Sequence, residues 1–107
     1  MKKILLKNAK LVLENKLING SILIFKNKIE KIFTDNDNLS EFTFDEVIDL
    51  DGKYLGPAFI DVHTHGADGA DAMDGNEEAL RKISSYLVKE GTANFLATTL
   101  TSTKEIL

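Results

Sequence analysis

The 107-residue chain contains no cysteine, one proline and two histidines. Without cysteine there is no disulfide framework and no thiolate metal site, so any metal is held through nitrogen and oxygen. A basic excess is also missing: 13 Lys and Arg stand against 17 Asp and Glu, for a net charge of -4. The lysines form no dense block, so the electrostatic footprint of a nucleic-acid binder is absent and a membrane surface is disfavoured. The opening "MKKILLKNAKLVL" starts like a secretory leader, but Lys7, Asn8 and Lys10 break the apolar run and no small-residue cleavage site follows. A cytoplasmic protein is expected. Internal repeats and low-complexity tracts are lacking too.

What is present suffices for a packed core: 43% of residues are hydrophobic and 28% charged, ordinary values for soluble protein. The length fits one small domain or a piece of a larger one. Two halves follow different patterns. Up to about Leu50, short apolar runs ("KILLK", "KLVLE", "SILIFK", "KIEKIF", "VIDL") alternate with "ENK", "NG" and "KNK", which predicts hairpins in an antiparallel β module. The acidic stretch 34–45 reads as a loop or edge, and "NKIEKIF" as a solvated hairpin. Beyond Leu50, an apolar "LGPAFIDV" leads into a Gly/Asp loop, then "NEEALRKISSYLVKEG", then "TANFLATTL". Ala79, Leu80, Ile83, Tyr86 and Leu87 fall at helical spacing, Glu77 and Glu78 suit the helix start, Asp74 or Asn76 can cap it, and Gly91 is placed to stop it. Strand, helix, strand over so short a span is a βαβ unit with parallel strands.

The proline and both histidines lie together in "GPAFIDVHTHGADGADAMDG". On a strand from Phe59 to His65, Asp61, His63 and His65 share one face, and Ile60, Val62 and Thr64 the other. Two imidazoles two residues apart can reach one cation at about 2.0–2.1 Å, and Asp61 has the parity to hold a remaining ring N–H. An H-x-H alone is weak evidence, since two histidines on a solvated strand usually do nothing. Here the pair ends an apolar run and precedes a glycine-rich turn where backbone can approach a ligand. The spacing of Asp68, Asp71 and Asp74 does not match a calcium loop, so these are expected to cap turns and the next helix. Pro57 fixes the approach to the strand.

At "FIDVHTHG" the chain resembles the amidohydrolase superfamily, and "HGADGADAMDG" and "EGTANFLATTLTS" resemble its N-acetylglucosamine-6-phosphate deacetylases. Ala58 departs from the glycine common there after the proline. The resemblance implies an α/β fold with a small N-terminal β-sandwich module (1–54), then the start of a (β/α)8 metal-dependent hydrolase barrel, its first two strands only (55–107). It implies hydrolysis of the N-acetyl group of N-acetylglucosamine 6-phosphate to glucosamine 6-phosphate and acetate, in amino-sugar catabolism. His63 and His65 match the first-strand metal ligands, for a divalent ion that is zinc by first expectation, with iron or another divalent ion as alternatives. The general acid/base, the other ligands and the substrate-binding groups are expected downstream of this N-terminal portion, because a whole barrel takes about 250 residues. The chain alone is therefore expected to be inactive. The full-length protein is expected to be a homodimer whose partner is a small phosphosugar, with no nucleic acid and no membrane.

Two other readings compete. One is a dihydroorotase-like or deaminase-like amidohydrolase; Gly66 and Ala67 argue against the former, which resembles this pattern but carries an arginine shortly after the second histidine. The other is a non-catalytic binding module whose H-x-H is a relic.

Overall fold

The computed structural model describes residues 1–106 and divides into two compact units, Met1–Pro57 and the chain from Ala58 on.

In the first unit, β1 (Ile4–Leu13) pairs antiparallel with β2 (Lys16–Phe25), and β2 with β3 (Lys28–Thr34). On the other edge of β1 lie β4 (Glu46–Asp49) and β5 (Tyr54–Leu55), both parallel to it. All five form one sheet. The expected "KNK" turn is present: Lys26 and Asn27 have φ of 51° and 59°, the left-handed pair of a two-residue hairpin.

Three features differ from the sequence reading. "KILLK" and "KLVLE" are one strand, because Lys7 and Asn8 form a bulge, with Asn8 at φ 55°, rather than a turn. The extra residue reverses which side chains face which way. Leu5 therefore joins Leu23 and Phe33 on one face of the sheet, whereas Ala9 and Leu11 join Ile22 on the other. Asn19 and Gly20 are not a hairpin turn either but lie inside β2, where a Cβ on Gly20 would overlap the Phe33 carbonyl of β3. Finally, the module is not wholly antiparallel. Since β3 and β4 both run in the direction of β1, the connection between them has to travel back along the sheet. It does so as 35–45, which carries one 3-10 turn at Leu39–Glu41. Its Leu39, Phe42 and Phe44 pack on the Leu5–Leu23–Phe33 cluster, with the Phe33 and Phe42 rings edge-on at 4.9 Å. Three apolar residues spaced through an acidic stretch make this loop a cover for the core.

The second unit is the expected strand–helix–strand. β6 (Phe59–Thr64) leads through a small hairpin, β7 (Gly66–Ala67) and β8 (Ala70–Asp71), to α1 (Glu77–Lys89) and then to β9 (Thr92–Ala97), which lies parallel to β6. The aspartates act locally, as their spacing suggests. Asp68 and Gly69 form the hairpin turn with φ of 52° and 74°. Asp71 and Asp74 form a capping box around the 3-10 turn Ala72–Asp74. Asn76, rather than Asp74, caps α1, its Oδ1 accepting from the Ala79 amide at 2.8 Å. Glu77 pairs with Arg81 one turn on, and Gly91, at φ 83°, follows the helix end. α1 packs on β9 and the β7–β8 hairpin and buries Ala79 and Ile83. Among the described residues, six buried apolar residues lie in the first unit and these two in the second. Among the described residues no helix is long and apolar enough to cross a membrane.

Candidate metal centre

β6 and β9 end side by side. Past the last paired residues, Thr64 and Ala97, the Thr98 amide still donates to the Thr64 carbonyl at 2.8 Å. The two histidines stand at this C-terminal end, His63 on β6 and His65 one residue beyond it. His63 is exposed and His65 half-buried.

Their rings converge. The Nε2 atoms are 3.3 Å apart, with ring centroids at 5.0 Å and planes at 81°. Two nitrogens each about 2.0–2.1 Å from a tetrahedral cation are separated by about 3.3–3.4 Å. The pair is thus spaced as two ligands of one ion. The other ring nitrogen of His65 strengthens the fit: Nδ1 lies 2.9 Å from the Thr98 carbonyl. A carbonyl only accepts, so Nδ1 is the donor in this contact.

Asp61 does something other than expected. Its Oδ1 accepts from the backbone amide of His63 at 3.0 Å and holds no ring nitrogen. The cause is local: the register of β6 against β9 slips between Asp61 and Thr64, and the carboxylate satisfies an amide within that irregular stretch. The ring partner is the carbonyl of Thr98, a residue the sequence reading passed over. Its signal was positional: in a parallel pair, whatever follows the second strand stands beside whatever ends the first. The loop after His65 is tied in as well, the Ala72 amide donating to the His65 carbonyl at 2.7 Å. Gly66 serves the close pairing of that loop, since a Cβ there would overlap the Ala70 carbonyl. No third His, Asp or Glu joins the histidines in a ligand cluster among the described residues.

No protein-family model matches the chain. It is 39% identical over 99 residues to the N-acetylglucosamine-6-phosphate deacetylase of Bacillus subtilis (strain 168), covering 92% of this chain and 24% of that protein. The crystal structure of N-acetylglucosamine-6-phosphate deacetylase from Pasteurella multocida superposes with a TM-score of 0.84 at 24% identity, covering 97% of this chain and 27% of that one. A shorter match, 41% identical over 61 residues (57% of this chain and 13% of the other), is to the dihydroorotase of Fusobacterium nucleatum subsp. nucleatum. The chain spans about a quarter of the length of these two deacetylases. In sequence over nearly its whole length, and in fold, the chain corresponds to the N-terminal portion of the N-acetylglucosamine-6-phosphate deacetylases of the amidohydrolase superfamily.

Proposed function

We propose that the whole protein of which these residues form the N-terminal portion is a metal-dependent deacetylase that hydrolyses N-acetylglucosamine 6-phosphate to glucosamine 6-phosphate and acetate, in the cytoplasm and as a homodimer. In this reading residues 1–54 are a β module and 55–107 begin the catalytic barrel. His63 and His65 are two ligands of a divalent ion, zinc in the first instance. The observation that carries the proposal is the 3.3 Å convergence of their Nε2 atoms at the C-terminal end of a parallel strand pair, where barrel enzymes keep their chemistry. The likeness to the Bacillus subtilis deacetylase over 92% of the chain supports the reaction class. Matches to dihydroorotase cover less of the chain, and Gly66 and Ala67 leave no arginine beside the histidines for a substrate carboxylate.

Held by His63 and His65, a divalent cation would supply Lewis acidity toward an amide carbonyl and would lower the pKa of a water bound to it. This chain's own part is to hold the two nitrogens at fixed spacing, to keep the His65 proton on Nδ1, and to bring a glycine-lined hairpin beside them. The acid/base group and the remaining ligands belong to later parts of the whole protein, so the chain alone does not turn over substrate.

The test is a deacetylation assay on the full-length protein and on its His63→Ala/His65→Ala double variant. Loss of bound metal and a fall in turnover by orders of magnitude, with an unchanged far-ultraviolet circular dichroism spectrum, are expected. A double variant with normal metal content and rate refutes the assignment, as does chelator-sensitive turnover by the 107-residue chain alone.

A further inference from the structure

We propose that the backbone carbonyl of Thr98 is a positioning group that locks His65 as its Nδ1–H tautomer and so keeps the Nε2 lone pair open toward the cation. This deepens, and rests on, the reading of His63 and His65 as a metal-binding pair.

The two histidines are held very differently. His65 is fixed at its ring by the Thr98 carbonyl at 2.9 Å and at its own carbonyl by the Ala72 amide at 2.7 Å. The residue before it, Thr64, accepts from the Thr98 amide at 2.8 Å, so amide and carbonyl of the same residue grip two successive positions. The ring of His63, by contrast, is hydrogen-bonded only to the ring of His65 among the described residues. His65 is therefore the pre-organised member and His63 the one that adjusts to it. An unconstrained imidazole in water favours the Nε2–H form, which would turn a proton toward the cation. An acceptor on the far nitrogen reverses that preference. The Thr98 side chain takes no part, because its hydroxyl donates to the Leu96 carbonyl at 3.1 Å. Only the carbonyl is needed, and its place is set by where β9 ends against β6.

This separation of backbone from side chain decides the experiment. The full-length protein is prepared metal-free with 15N-labelled histidine confined to residues 1–107 by segment ligation, and its long-range 1H–15N spectrum reads each ring's tautomer. Replacing Thr99 by its α-hydroxy-acid analogue makes the Thr98 carbonyl an ester carbonyl, a weaker acceptor. The Thr99 amide that this removes makes no hydrogen bond with another described residue, so the strand pair stays intact. Thr98→Val is the side-chain control. We expect His65 as Nδ1–H in the unmodified chain and in Thr98→Val, a shift toward Nε2–H in the ester, and zinc binding about 10-fold weaker in the ester. An Nε2–H tautomer in the unmodified chain overturns the proposal. So does an ester that changes neither tautomer nor zinc binding, or a Thr98→Val variant that loses the tautomer. Should the ester shift the tautomer while no form binds zinc, the positioning role stands and the metal reading fails.

Discussion

Asp49 gathers three donors at the bulge of β1: the Asn8 side-chain amide at 2.9 Å, the Asp51 backbone amide at 3.0 Å and the Lys7 ammonium at 3.2 Å. The Asp51 amide above all, then Asn8 and Lys7, hold its carboxyl below the ordinary aspartate value. A carboxylate depressed in the folded state contributes stability above its unfolded pKa of about 3.9, and that contribution is lost as pH falls through the folded value. The first unit should therefore weaken toward acid below about pH 4, and Asp49→Asn should reduce that slope while lowering stability at neutral pH. Urea midpoints at several pH values check this; identical slopes in both proteins would show that Asp49 has no such role. Gly20 makes a second demand. Alanine there meets the Phe33 carbonyl, and the strand separation needed to relieve the overlap should cost about 1–3 kcal/mol or more in denaturant unfolding.

At the scale of elements, α1 shows how thin the second unit's core is. Ile83 is fully buried, and it and Ala79 are the buried apolar residues of that unit among the described residues. Ile83→Ala should cost about 2–5 kcal/mol. Hydrogen exchange should then show protection lost from β6, α1 and β9 together but kept in β1, β2 and β3; uniform loss would mean that the two units unfold as one. The helix was legible from the spacing of Ala79, Ile83 and Leu87 and from Gly91, and the parallel strands followed from a helix lying between two apolar runs. The histidines were legible because H-x-H ends one of those runs. The bulge at Asn8 was not, since a left-handed asparagine reads equally as a turn, and neither was Gly20, whose need is set by a neighbouring strand. Thr98 escaped because what positions His65 is a main-chain carbonyl, which every residue possesses and only the register of two strands can place.

For the molecule as a whole, the second unit leaves large apolar side chains in water: Phe59 is 71% exposed, Ile60 66%, Val62 68% and Leu96 61%. These belong to a two-stranded parallel sheet, a kind of structure normally covered on both faces, and at about 25 cal/mol per Å2 their exposure forgoes several kcal/mol. The 107-residue chain should accordingly self-associate at low micromolar concentration by light scattering, and a compact monomer with one cooperative unfolding transition would contradict this. The pairing of His63 and His65 in one cation site has a more direct test in the full-length protein with 15N-histidine confined to residues 1–107, which hold no other histidines to confuse the signal. Zinc is titrated into this metal-free protein while the ring nitrogens are observed. The Nε2 signals of both residues should shift together and saturate at one zinc per chain, with His65 Nδ1 still protonated. Shifts confined to one ring, or zinc binding that survives in the His63→Ala/His65→Ala chain, would contradict a shared site.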